Sequence, residues 1–183
     1  MADGLFYNDI RTPFITSDLA AVTLTTTDKA LYTAFAFPVL GQNYWGFAGK
    51  KLSVRLSGAI TTAVTPGNGT FDIYWGSGVD ATGNLLASSP ALTLAASKTN
   101  LLWMVEVWVL AKTIGTSGSL FCSGTCDFDT VVQTTGGGVI MPTAQSAVTV
   151  DTTVSNIISV QFKRSGSTVE TMKVQDMEVI AYN

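Results

Sequence analysis

The chain of 183 residues contains no histidine, and only 13% of its residues are charged. Globular proteins average about 25% charged residues. Without histidine, the usual general base is missing, and the Ser-His-Asp and Cys-His arrangements are excluded. The sparse charge predicts that much of the surface lies in contacts with other chains. A soluble β-domain coated with serine and threonine is the alternative.

Basic clusters and long apolar runs are also missing. The net charge is −3, and the only clusters of basic residues are Lys50-Lys51 and Lys163-Arg164. Nucleic-acid binding needs a dense positive surface, so we expect no nucleic-acid partner. The longest apolar run ends after about eleven residues and contains Glu106, whereas a membrane span needs roughly 20. The first residues, MADGLF, do not have the pattern of a signal peptide, so we expect no membrane segment and folding in the cytoplasm of the producing cell.

Cysteine occurs twice, at Cys122 and Cys126. In a straight strand their Cα atoms would lie about 13 Å apart, beyond the reach of a disulfide. A tight turn at residues 123–125 could bring them together. The strand interpretation instead places both on one face with Leu120 and Phe128, which favours free, buried thiols. A two-cysteine metal site would lack further ligands, because there is no histidine to supply them.

The most informative stretch present is Leu101–Lys112, which is rich in β-branched and aromatic residues. As a strand it is apolar on both faces, although a strand of an antiparallel sheet usually has one wet face. One face carries the odd-numbered residues, which are all apolar and include Trp103 and Val107. The other carries Leu102, Met104, Glu106, Trp108 and Leu110. We therefore predict that a second layer covers the first face, and that the N-terminal arm or another subunit covers the second.

Short strands with turns between them account for most of the chain. The predicted strands are 19–26, 31–37, 51–60, 71–75, 85–94 (broken near Pro90), 101–113, 119–130, 158–162 and 169–182. A change of apolar parity predicts a β-bulge near Gln175-Asp176, and the glycine-rich residues 136–148 are expected to form a flexible connection. Strands at this spacing predict an all-β fold: an antiparallel β-sandwich (jelly-roll) of eight to ten strands. It would form one domain, 19–183, preceded by an extended N-terminal arm, 1–18.

Candidate chemistry is sparse. Carboxylate pairs could make a glycosidase, and the candidates are Glu106, Asp127, Asp129, Glu170, Asp176 and Glu178. We interpret them as solvated strand faces or ion-pair partners and predict no enzymatic activity. Asp127 and Asp129 could supply only two of the six to eight oxygen ligands of Ca²⁺, and we predict no cofactor.

Two further features of the sequence concern contacts. Glu106 stands in an apolar strand and needs a partner if it is buried; Arg55, Lys112, Lys173 or a residue of another subunit could serve. The aromatic residues Tyr44, Trp45, Tyr74 and Trp108 could stack on sugars, although core or interface packing is the favoured interpretation.

The chain resembles the small jelly-roll virion proteins of tailed bacteriophages, especially capsid decoration (cement) proteins. The resemblance covers residues 45–183 and lies in the strands KLSVRLSGAI (51–60), FDIYW (71–75) and LLWMVEVWVLA (101–111) and in the ending VIAY (179–182). Because it contains no fixed motif, no functional residue is carried over.

The resemblance implies a non-enzymatic protein on the outer capsid surface of the virion. Such a protein would be a trimer or other symmetric homo-oligomer that binds the major capsid protein and stabilises the head lattice. The interface residues that we predict for this role are Phe6, Tyr7, Phe14, Leu102, Met104, Glu106, Trp108 and Leu110. The alternative is a tail-fibre or receptor-binding β-module that recognises a host glycan.

Overall fold

The computed structural model describes residues 9–10, 18–27, 29–32, 39–78, 80, 82–129, 138–141, 146–166 and 168–182. All regular structure within these ranges is β. The strands are β1 (Asp9–Ile10), β2 (Val22–Thr23), β3 (Lys29–Ala30), β4 (Lys51–Thr61), β5 (Asn68–Gly76), β6 (Asn84–Ser88), β7 (Leu92–Thr93), β8 (Leu101–Thr113), β9 (Gly118–Phe128), β10 (Val139–Met141), β11 (Val148–Val150), β12 (Ile157–Arg164) and β13 (Thr171–Tyr182). No helix in the described part of the chain is long and apolar enough to cross a membrane.

The strands form two antiparallel sheets. The larger sheet runs β1-β13-β4-β8-β9-β10, with β2 also on β13 and β11 also on β9; the smaller runs β3-β12-β5-β6, with β7 also on β5. The first long strand pairs with the last, the second with the next to last, and β8 and β9 form a hairpin. This nested pairing is the winding of a jelly-roll-type sandwich. The predicted all-β antiparallel sandwich is confirmed. The described residues form thirteen strands rather than the predicted eight to ten, because six of the thirteen are pairings of only two or three residues, too short to show a period in the sequence.

The core lies between the two sheets and follows from the alternation of side chains along each strand. In β8 every odd-numbered residue from Trp103 to Ala111 is buried, while the even-numbered residues are half-buried or exposed. A strand places successive side chains on opposite faces, so the odd-numbered set faces the smaller sheet. There Trp103 contacts Phe71 of β5, which in turn contacts Phe162 of β12, and both phenylalanines are fully buried.

The predicted bulge in β13 is confirmed, because the pairing with β4 shifts between Val174 and Asp176. This shift lets Met172 and Met177, which differ in parity, both reach the core.

Several expectations differ from the structure. Residues 136–148 are not only a connection, since Val139–Met141 and Val148–Val150 pair with β9; three-residue strands are too short to show a period. Of the predicted strand 19–26, only Val22–Thr23 is regular. Of the predicted strand 31–37, Leu31 and Tyr32 follow β3 and are not in a strand, and the remaining positions lie outside the described residues. Asp72 and Tyr74 alternate with the core residues of β5 and so point away from the core, yet both are buried.

Part of the N-terminal arm pairs with its own chain. Asp9 and Ile10 lie opposite Ala181 and Ile180 at the edge of the larger sheet. The division at residue 18 stays a prediction. The predicted interface residues Phe6, Tyr7 and Phe14 lie outside the described residues.

Candidate binding face

The side of the larger sheet that points away from the core is the candidate functional site. We call it the outer face. Its members alternate with buried residues along the four long strands and the short β10. They are Lys51, Ser53, Arg55, Ser57, Leu102, Met104, Glu106, Trp108, Leu110, Phe121, Ser123, Thr125, Asp127, Ile140, Asp176, Glu178, Ile180 and Tyr182.

All five predicted residues of β8 lie on this face, because they occupy alternate positions of one strand. The strand register determines which residues of β4 and β9 lie beside them. Trp108 lies between Ser53 of β4 and Ser123 of β9, and Leu110 lies between Lys51 and Phe121. Leu102, at the far end, is 60% exposed, and Ile140 of β10 is 69% exposed. Whether this uncovered apolar surface is a subunit or capsid interface stays a prediction.

Glu106 occupies the centre of the outer face and is half-buried. Its register partner on β4 is Arg55, but within the described residues Glu106 has no ion pair within 4.0 Å. Of the other predicted partners, Lys173 binds Asp18 with an N···O distance of 2.6 Å, and Lys112 lies over the ring of Phe121. Because Glu106 remains in contact with water, its charge is not a buried charge that requires an internal partner.

A cleft of about 440 Å³ opens at the Leu102 end of the face. Its lining consists of Arg55, Ser57, Leu102, Trp103, Met104, Asp127, Phe128 and Asp129. The backbone N–H of Asp129 donates to the carbonyl oxygen of Leu102 at 2.9 Å, which extends the β8–β9 pairing to the edge of the cleft. The Nη2 of Arg55 lies 3.5 Å from the sulfur of Met104. The cleft therefore combines a guanidinium group, two carboxylates and a hydroxyl with apolar surface.

The opposite end of the outer face is cationic and aromatic. The Nζ of Lys51 lies 5.5 Å from the ring centre of Trp108 and 5.6 Å from that of Tyr182. The Nζ of Lys112 lies 5.3 Å from the ring centre of Phe121. Ammonium groups at this distance are attracted to the faces of aromatic rings, and these contacts hold the lysine side chains over the sheet.

The other aromatic residues considered for sugar stacking lie elsewhere. Trp45 and Tyr74 are buried, so neither offers a ring to a ligand. Tyr44 is half-buried, contacts Trp45 edge-on at 5.1 Å between ring centres, and has the Nζ of Lys50 over its ring at 4.0 Å. Of the four, Trp108 is the one on the outer face.

Both cysteines are free and buried, as predicted. Burial raises the pKa of each thiol to about 12, so neither is a thiolate nucleophile at neutral pH. Among the described residues, no group of three or more His, Cys, Asp or Glu side chains could hold a metal ion. Asp127 and Asp129 both line the cleft, whereas Glu170 is buried beside Arg164 on another part of the fold.

Several residues of the outer face were missed from the sequence. Ser57, Phe121, Ile140 and Ile180 lie beside the predicted set, and Arg55 was considered only as a partner for Glu106. Alternation along each strand could have identified these residues, because each occupies an outward position of its own strand. What the sequence does not show is that β4 and β9 are the neighbours of β8.

No family model and no curated protein matches this chain. Solved structures similar to this chain include the botulinum neurotoxin serotype D/C VPI 5993 binding domain, at 9% identity over 87% of this chain and 43% of that one (TM-score 0.32). This chain thus spans less than half of that domain.

Two smaller proteins are also similar. CG-16, a homodimeric agglutinin from chicken liver, is 9% identical over 87% of this chain and 99% of its own (TM-score 0.27). The CBM2 module of the evolved Dit protein of Lactobacillus casei BL23 phage J-1 is 9% identical over 93% of this chain and 94% of its own (TM-score 0.23). Because the TM-scores are this low, nothing about the ligand or the role of this chain follows from these similarities.

Proposed function

We propose that the protein is a non-catalytic binding module that recognises a carbohydrate in the cleft of the outer face. The observation that carries the proposal is the cleft lining. Arg55 and Ser57 can donate hydrogen bonds to sugar oxygens, and Asp127 can accept them from sugar hydroxyls. Leu102 offers apolar surface to the C–H face of a pyranose ring. Ligand sites of about 300–1,000 Å³ commonly combine apolar surface with a few polar groups, and the cleft has this make-up.

We assign binding rather than catalysis to the cleft because of the chemical groups that the chain contains. The chain has no histidine, and its two thiols are buried and protonated. The carboxylates of Asp127 and Asp129 act in this proposal as hydrogen-bond acceptors. A charged acceptor contributes roughly 1.5–3 kcal/mol per hydrogen bond.

Replacing Asp127 with asparagine tests the sugar site. We expect the dissociation constant to rise about tenfold or more, because the amide loses a charged acceptor of sugar hydroxyls. A glycan array with the unaltered protein first identifies a binding sugar, and isothermal titration calorimetry then compares the variants. Asp80→Asn, an exposed carboxylate outside the cleft that pairs with Lys29, is the matched control and should bind normally. No binding on the array, or equal affinities for the two variants, would contradict the proposal.

A second candidate is the capsid decoration role that the sequence resemblance implies. The observation that favours it is the uncovered apolar surface at Leu102 and Ile140, since exposed apolar patches mark contact sites for other proteins. Mass spectrometry of purified phage particles is the direct check. We expect the chain to be present in amounts comparable with the major capsid protein, and its absence from the particles would rule out this role.

A further inference from the structure

The outer face carries charges of opposite sign at its two ends. Lys51 and Lys112 lie at the end of β8 that contains Leu110, while Asp127 and Asp176 lie near Leu102. Lys173 also lies near the acidic end, but its ammonium group is paired with Asp18. In the described structure Lys51, Lys112, Asp127 and Asp176 have no ion pair within 4.0 Å. These four charges are therefore available to a second molecule.

A row of three charged side chains, Arg55, Glu106 and Glu178, crosses the middle of the outer face, and apolar side chains fill the surface on both sides of this row. Leu102, Met104, Trp108 and Leu110 of β8 are half-buried or exposed, and Ile180 of β13 is half-buried beside them. A sheet face of this kind can pack on another sheet with its side chains interdigitating.

We propose that a second copy of this chain docks on the outer face about a two-fold axis. An axis lying in the interface and across the strands near Glu106 reverses the strand direction between the copies. The basic end of each copy then lies over the acidic end of the other. A two-fold contact is made by the same surface on both subunits, which must therefore be complementary to itself. The two ends of the outer face meet this requirement because the charge changes sign from one end to the other, and at the axis the two Glu106 carboxylates lie beside the Arg55 side chains that are their register partners on β4.

The size of the face agrees with a modest dimer. From Leu102 to Leu110 the surface is about 27 Å long, and five strands give a width of about 24 Å. Docking would cover about 600 Å² on each copy, or about 1,200 Å² in total, which is the lower limit for a specific interface. We expect a dissociation constant in the micromolar range. This contact does not depend on the proposed sugar ligand, although it covers the cleft.

Two variants, each with the charges at one end of the outer face reversed, test the contact. The first variant carries Lys51→Glu and Lys112→Glu, and the second carries Asp127→Lys and Asp176→Lys. Each variant alone has one sign at both ends, so its copies repel, and we expect self-association at least tenfold weaker than that of the unaltered chain. When the two variants are mixed, opposite charges face each other at both ends. We therefore expect the mixture to form a one-to-one dimer.

Sedimentation velocity without sugar, at about 100 μM protein and low salt, measures the masses. The unaltered chain should sediment at twice its mass of 19.3 kDa, and circular dichroism verifies that both variants are folded. An unaltered chain that is monomeric overturns the inference, as does a trimer or variants that dimerise normally. A mixture that stays monomeric while both variants are folded also overturns it. Binding of sugar by a monomeric protein would leave the proposed function intact, so the two proposals fail separately.

Discussion

Replacement of Trp103 with alanine is expected to lower the free energy of unfolding by about 3–5 kcal/mol, the range for a large aromatic residue removed from a core. The indole is fully buried between the sheets. Its ring centre lies 5.8 Å from that of Phe71, which in turn stacks on Phe128 at 5.5 Å. The alanine variant leaves a cavity that these rings cannot fill without breaking their own contacts.

Chemical denaturation with urea measures this loss, and Trp108→Ala is the matched control. Trp108 is the same residue type on the same strand, but it lies on the half-exposed outer face. Because part of the Trp108 side chain already contacts water, we expect a loss of only about 1 kcal/mol. Equal losses for the two variants would contradict the assignment of the faces of β8.

The second large effect is expected at the buried ion pair of Arg164 and Glu170, where Nε lies 2.8 Å from Oε2. The Nε–H of Arg164 donates to the carbonyl oxygen of Leu24 at 2.9 Å, so the contact with Glu170 is ionic rather than an aligned hydrogen bond. Thr168 donates to the other carboxylate oxygen at 2.7 Å. Glu170→Ala should cost about 3–5 kcal/mol, because it leaves the Arg164 charge buried without a counter-charge.

The exposed pair of Lys173 and Asp18 provides the comparison for this prediction. Its N···O distance of 2.6 Å is as short as that of a strong pair, but Asp18 is largely exposed. Exposed ion pairs contribute only about 0–1 kcal/mol, so Lys173→Ala should change the urea midpoint little. If Glu170→Ala were equally mild, the Arg164 side chain would have to reach water in the folded protein.

The local sequence pattern was sufficient to predict most of the long strands. The predicted strands at 51–60 and 101–113 agree with β4 and β8 within a residue, because strict alternation and β-branched residues identify a strand without knowledge of its neighbours. The bulge in β13 was predictable for the same reason, since a change of parity is local. The short strands β10 and β11 were missed because their regularity comes from pairing with β9.

The candidate site was only partly predictable. The alternation of β8 alone identified Leu102, Met104 and Trp108 as members of one face. The cleft could not be foreseen, because Arg55, Asp127 and Met104 are distant in sequence and meet only through the register of three strands. The burial of Tyr74 was also undetermined, since alternation tells which face a residue is on but does not tell what lies over that face.

The sequence by itself determined the fold class, the free thiols and the two-faced character of β8, since these properties depend on residue type and on a period of two. The tertiary structure alone decided which strands are neighbours, and with them the cleft and the two charged ends of the outer face. Strand pairing joins residues up to 172 positions apart, as for Asp9 and Ala181. Long-range pairs of this kind are selected by the packing of the whole sandwich, and no local pattern encodes them.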